Sequence, residues 1–252
     1  MSEGTRVDCH VKTLDERVVS RAKAAGLDVI VYAPHFTRLP TIRERAARFS
    51  DDELSVVPAR EIFTGDWRCR RHLLAIGLSE PVPDFVSFEG ALSECARQEA
   101  AVLVPHPEFL NVSLTRAEVG AHRDAIHAVE TGNAKLFDHQ NERGERITAA
   151  FELERFASSY AHFPGTVGAA WTTFETDLET AGDLAEALRT GASRRTVVRS
   201  DPATRARRLA EFTHLAYENS WGKLDRLFLS GMEPTHPRHI AYDDRFDDVA
   251  VY

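Results

Sequence analysis

Two hydrophobic periods alternate along the chain. Residues 5–10 (TRVDCH) have the short, half-apolar look of a strand, and residues 14–25 (LDERVVSRAKAA) carry apolar positions at helical spacing and stop at Gly26. Residues 27–33 (LDVIVYA) form a continuous apolar run, which predicts a strand buried on both faces. The alternation continues with a helix over 41–49, strands over 54–63 and 72–78, a helix over 88–99 and a strand over 101–105 (AVLVP). It predicts a helix over 115–122, a strand over 125–130, and helices over 143–156 and 178–189, the last capped by Thr176 or Asp177. Helices over 203–217 and 223–229 follow. This β-then-α order predicts an α/β fold with a parallel sheet, open or closed into a barrel. Residues 1–200 are the expected barrel domain and 201–252 a C-terminal helical extension and tail. The final stretch, 236–252, mixes acids and aromatics and is expected to pack loosely.

Composition narrows the class. With 252 residues, 43% hydrophobic and 28% charged, the chain is globular in character. A formal net charge of −8 argues against general nucleic-acid or membrane adsorption, although a local basic patch remains compatible with it. No run approaches the roughly 18 apolar residues of a membrane span. The N-terminal MSEGTR lacks the apolar core of a signal peptide, so the expected location is cytoplasmic. Three widely spaced cysteines, Cys9, Cys69 and Cys95, make neither a disulfide framework nor a CxxC metal site. Cys9, on the first strand, is read as packing rather than as a nucleophile.

The histidines change the picture. His10 ends the first strand, His35 the second and His106 the strand 101–105, while His162 follows the short segment SSYA. His72 opens HLLAIGL, and Glu61 lies within VVPAREIF. In parallel α/β architectures, strand C-termini converge on one face. Imidazoles and a carboxylate gathered there would suit Zn, Mn or Fe.

These residues stand in an order that resembles the PHP (polymerase and histidinol phosphatase) family. DCHVKT (8–13) looks like the family's D-x-H-x-H-S/T, and PAREI (58–62) like its P-G-x-E. His72–Leu78 is similar to the H-x-L-A-x-G strand, His106-Pro107 to the His-Pro motif, and SSYAH (158–162) to S-D-A-H. The resemblance covers about residues 5–190. It implies a distorted (β/α)7 TIM-like barrel, a metal-dependent phosphoesterase activity and a small phosphorylated substrate. The family's two or three metal ions would map onto His10, His35, Glu61, His72, His106 and His162.

Three positions depart from the family pattern. Lys12 replaces the second histidine of H-x-H and Tyr160 the aspartate of S-D-A-H, while residues 21–35 (RAKAAGLDVIVYAPH) resemble the family's helix, Gly and strand ending in Asp-His, with Pro34 in place of the aspartate. An ammonium cannot ligate a cation, and a phenol with an ordinary pKa of about 10 ligates poorly near neutrality. Both losses fall on one implied metal position, where Lys12 would supply charge by pairing with Glu61. Fewer divalent ions (Mn, Zn or Fe) than the family norm are therefore expected. Glu61, His72 and His106 would hold one, and His35 and His162 would serve another or meet phosphate directly. Lys12 and Glu61 are the expected catalytic pair; the family's acid-bearing loop after the first motif is shortened here, since helical sequence starts by Leu14, and Asp15 is a weak stand-in for its acid. Arg60, Arg68, Arg70 and Arg71 are further candidates for phosphoryl charge. The alternative is a non-catalytic barrel acting as a binding or RNA-associated subunit. That alternative draws on seven arginines, Arg189, Arg194, Arg195, Arg199, Arg205, Arg207 and Arg208, which a solvated helix face would also explain.

Overall fold

The structure, a computed structural model, describes residues 4–66, 70–109, 112–178, 180–202, 211 and 234–251. Strand β1 (Thr5–Val11) leads to helix α1 (Glu16–Ala24), β2 (Val29–Tyr32), α2 (Leu39–Phe49) and β3 (Ser55–Thr64). Then come β4 (Arg71–Ile76), α3 (Phe88–Arg97), β5 (Ala101–Val104), α4 (Arg116–Ala121) and β6 (Ala128–Asn133). Helix α5 (Asp138–Phe151), β7 (Glu154–Ser158), β8 (Ala170–Phe174), α6 (Ala181–Arg189) and β9 (Arg194–Val198) complete the ordered elements.

The strands form one sheet in the order β7-β6-β5-β4-β3-β2-β1-β8-β9. It is mixed, not parallel: β4 runs against both β3 and β5, and β8 against both β1 and β9. The expectation of an all-parallel sheet is thus corrected. Residues 65–70 are too few for a crossover helix, so the chain returns from β3 directly alongside itself.

The sheet curls until β7 lies beside β1, β8 and β9. Polar groups stitch this seam. Thr172 Oγ1 on β8 accepts from the backbone N–H of Ala157 at 2.8 Å. Val11 bridges Ala161, and the Lys12 N–H donates to the Ala161 carbonyl at 2.9 Å. The buried Asp8 carboxylate accepts from the backbone of Ser159 at 2.9 Å and of Gly168 at 3.0 Å. Burial raises this carboxyl to about 6 even against those bonds. The result is a distorted α/β barrel. Its interior is packed by alternate residues of the strands, among them Val7, Val31, Ala59, Leu103 and Phe156.

Several element boundaries differ from the periodicity reading. The helix expected to reach residue 156 stops at Phe151, because Glu152 takes a left-handed conformation (φ 54°) and frees β7. The strand expected over 125–130 begins at Ala128, after a 3₁₀ turn over Arg123–Ala125. Helix α6 is capped by Thr180, not by Thr176 or Asp177; the Thr180 hydroxyl accepts from the Asp183 N–H. The tail is also corrected. Tyr242 and Phe246 are buried in the cluster under α3, and the Val251 N–H donates to the Phe85 carbonyl at 2.7 Å. Residues 203–217 and 223–229, expected to be helical, lie outside the described residues apart from Glu211, as do Arg68 and Cys69. No helix among the described residues is long and apolar enough to cross a membrane.

Candidate active site

The pairing of β1 with β2 shifts register between Asp8 and Val11, and across that irregularity His10 and Lys12 both reach Glu61. Residues alternate along a strand, which puts Glu61 inside and Arg60 outside on β3. Because β4 is antiparallel to β3, with Phe63 opposite His72, the start of β4 meets the end of β3. That pairing brings His72 to the rim where β1, β2, β5, β6 and β7 end. His35 and His106 follow β2 and β5 there, and Tyr160 and His162 follow β7.

Glu61 is the hub. Its two oxygens serve different neighbours. Oε2 receives the Lys12 ammonium and lies 2.7 Å from His35 Nε2. Oε1 lies 3.1 Å from His106 Nε2, 3.3 Å from His72 Nδ1 and 3.8 Å from His10 Nε2. Lys12 also donates to the Ala33 carbonyl at 2.7 Å. The Glu61 side chain is wholly buried and that of Lys12 is 5% exposed. Burial opposes charge on Glu61, but the Lys12 ammonium together with the neighbouring His72, His10 and His106 outweighs it and holds the carboxyl well below its usual range. Burial, followed by the Lys12 charge, lowers His10 far below its ordinary value and His35 to about 3. Burial likewise lowers His72. His10, His35 and His72 are therefore neutral neighbours of an ionised pair.

The tautomer of His106 can be deduced. The Ser113 hydroxyl donates its hydrogen to the Phe109 carbonyl at 2.6 Å, so it must accept from His106 Nδ1 at 2.8 Å. Nε2 faces Glu61 Oε1 at 3.1 Å, a contact that either a proton on Nε2 or a cation held between the two atoms satisfies. Glu61, His72 and His106 offer ligand atoms within 4.8 Å of one another, and both His10 nitrogens and His72 Nε2 are buried with no hydrogen-bond partner among the described residues. The donor set of two imidazoles and one carboxylate suits Zn, Mn or Fe. These three residues fit one ion. The position beside Oε2 is taken by Lys12.

Other expected residues serve elsewhere. Asp15 caps α1 by accepting from the Val18 N–H. Arg60 is buried on the outer face of β3, paired with Asp84 at 2.9 Å and donating to Thr37 O at 2.6 Å. Arg71 pairs with Glu118, and Arg70 stands 5.3 Å from the Phe85 ring. None of these three is among the groups around Glu61 described above. Arg189 donates to the Glu99 carbonyl, Arg194 pairs with Glu154, and Arg199 stacks over Trp171. Arg205, Arg207 and Arg208 lie outside the described residues. Burial raises the Cys9 thiol to about 12, which suits packing.

Sequence reasoning missed Glu130, Lys135 and Glu211. Glu130 Oε2 accepts from the His106 N–H at 2.6 Å and from Asn133 Nδ2 at 2.9 Å, and Oε1 accepts from Ser158 Oγ at 2.5 Å. It thereby holds His106 in its left-handed backbone conformation (φ 36°). A carboxylate closing the apolar run AIHAVE was the available signal. Lys135 Nζ lies 2.9 Å from His162 Nδ1, and Glu211 accepts from the His162 N–H. The Tyr160 ring stands 4.8 Å from His10 and 5.1 Å from His106, between the ligand cluster and His162.

Comparison with curated proteins finds no match to the sequence. Residues 138–193 match the PHP-associated family, PHP_C. Among solved structures, the chain is similar to PsfC from Pseudomonas syringae PB-5123, at 16% identity and a TM-score of 0.67 over 84% of this chain and 98% of that one. It is also similar to a two-domain protein from Bacteroides vulgatus ATCC 8482 containing a predicted PHP-like metal-dependent phosphoesterase. There the identity is 17% and the TM-score 0.57, over 77% of this chain and 64% of that one. A third is the lesion-specific endonuclease PfuEndoQ from Pyrococcus furiosus, at 15% identity and a TM-score of 0.56, over 76% of this chain and 57% of that one. At such identities the likeness is one of fold. The chain thus shares the fold of these proteins, and its segment 138–193 is similar to the PHP-associated family.

Proposed function

We propose that the protein is a metal-dependent phosphoesterase with a reduced metal site, holding one divalent ion at Glu61, His72 and His106. The observation that supports it is the facing of His106 Nε2 and Glu61 Oε1 across 3.1 Å with the His106 Nδ1 proton committed to Ser113. Glu61, His72 and His106 would hold the ion, which would polarise a phosphoryl oxygen and lower the pKa of a bound water. The chain's own residues supply the rest. Ser113 and Glu130 orient His106. Lys12 neutralises Glu61 Oε2 and keeps that oxygen from a second ion, and its ammonium supplies positive charge toward the phosphoryl group. His35 and His10 line the approach as neutral groups, and the proposed metal set extends to them and to His162 as outer partners. The proposed substrate is a small phosphorylated molecule.

The Lys12–Glu61 pair itself favours a second reading. An ammonium already satisfying the central carboxylate is what a barrel without metal would need to stay folded, so a non-catalytic binding or RNA-associated subunit is the competing proposal. Metal content per chain, measured on untagged protein purified without chelator, separates the two. About one Mn, Fe or Zn, lost in Glu61→Ala and His106→Ala together with phosphoester turnover, is expected. A metal-free chain after reconstitution would overturn the hydrolase reading and turn the search to binding partners.

A further inference from the structure

A second buried lysine–glutamate pair lies at the same rim. Lys135, just past β6, is fully buried, and Glu211 is 2% exposed at its side chain. Glu211 Oε1 accepts from two consecutive backbone N–H groups, His162 and Phe163, each at 3.1 Å, and from the Thr166 hydroxyl at 2.5 Å. Oε2 lies 3.3 Å from Lys135 Nζ and 3.7 Å from His162 Nδ1. Consecutive amides, a hydroxyl and a desolvated ammonium converging on one spot are the makings of an oxyanion site.

The carboxylate fills this cradle imperfectly. Three donors crowd one oxygen, while Oε2 accepts no hydrogen bond among the described residues. A carboxylate brings two oxygens and one charge. A phosphoryl group brings three oxygens and about −1.5 to −2 charge at pH 7, a closer match to this donor set. The cradle also adjoins the centre. Lys135 Nζ is 4.7 Å from the Tyr160 ring centroid, and the His162 ring is 5.9 Å from that of His35.

We propose that Lys135, the His162 and Phe163 amides and Thr166 form an oxyanion subsite for a phosphoryl group, and that Glu211 is its internal occupant. An arriving phosphate displaces the Glu211 carboxylate, and Lys135 exchanges one anionic partner for another without ever being buried alone. The inference does not depend on a metal at Glu61.

The test is titration of inorganic phosphate into the full chain stripped of metal by EDTA, followed by calorimetry and by thermal melting at constant ionic strength. Glu211→Ala is expected to bind phosphate about 10-fold or more tighter than the parent chain, a gain of roughly 1.4 kcal/mol, and to melt higher as phosphate rises. Acetate is expected to shift that variant less. Adding Lys135→Met should remove the gain. Should Glu211→Ala not fold, Glu211→Gln, which keeps the shape and loses the charge, is expected to gain affinity in the same direction. No gain in a folded variant, or a gain that survives Lys135→Met, overturns the proposal. Because the protein is metal-free in this experiment, either result leaves the metal reading to be judged by metal content alone.

Discussion

Lys12 donates through its ammonium to Glu61 Oε2, and the two side chains are 5% and 0% exposed. The ion pair is therefore desolvated and lies at the centre of the site. Removing one member leaves the other charge buried, which typically costs about 3–5 kcal/mol. Lys12→Met is expected to lower the stability of metal-free protein by that order, as read by urea denaturation. Added Mn or Zn should restore more stability to Lys12→Met than to the parent, because a divalent ion can then use both oxygens of Glu61. Equal stability of the two metal-free proteins would show that the pair contributes little.

Ser113 acts through the ring of His106. Its hydroxyl donates to the Phe109 carbonyl and accepts from His106 Nδ1, which leaves Nε2 facing Glu61. Loss of such an outer partner typically weakens metal binding 10–100-fold. Ser113→Ala should show about that loss of Zn or Mn affinity in a chelator competition assay, with the barrel still folded by circular dichroism. Unchanged affinity would mean that the tautomer is set by something else.

The buried imidazoles predict a pH dependence. Burial, then the Lys12 charge, lowers His35 from its ordinary 6.5 to about 3, and His10 and His72 move the same way. The unfolded chain takes up protons below pH 6.5 that the folded chain refuses, so their contribution is present above pH 6.5 and is lost as pH falls toward 3. Asp8, raised to about 6, works oppositely: its contribution is present below its ordinary 3.8 and is lost as pH rises through 6. Urea midpoints of metal-free protein are expected to fall between pH 6.5 and 4, and more gently in His35→Gln than in the parent. Parallel curves would contradict the assignment to His35.

Gly144 marks the closest approach of α5 to the barrel. A Cβ there would lie 2.1 Å from the Glu130 carbonyl oxygen, which is backbone and cannot swing away. Gly144→Ala must push α5 off β6, at a cost of about 1–3 kcal/mol. Because Glu130 also holds His106, metal affinity should fall along with the melting temperature. A variant as stable as the parent would show that the helix can shift freely.

Much of the barrel was legible because buried strands and amphipathic helices leave different periods. The run 27–33 contains β2, and the pattern of 88–99 contains α3. Strands β7, β8 and β9 escaped notice. Each is only five residues long, and polar residues such as Glu154, Thr172 and Arg195 break the apolar run. The reversed direction of β4 was illegible too, since periodicity reports which face is buried and not which neighbour a strand chooses.

The site divides in the same way. By itself the sequence placed His10, His35 and His106 at strand ends, which the barrel rule carries to one rim, and the antiparallel pairing of β4 then brings His72 there. The sequence also determined that Lys12 brings positive charge where a ligand was expected. Only the tertiary structure decided that Glu61 divides its oxygens, one for Lys12 and His35 and the other for His72 and His106. Only it joined Ser113 to His106, and Lys135 to a glutamate far along the chain. Such pairings depend on where separate segments meet in space and on which hydrogen each donor has already committed, and neither is written in the spacing of residues along a strand.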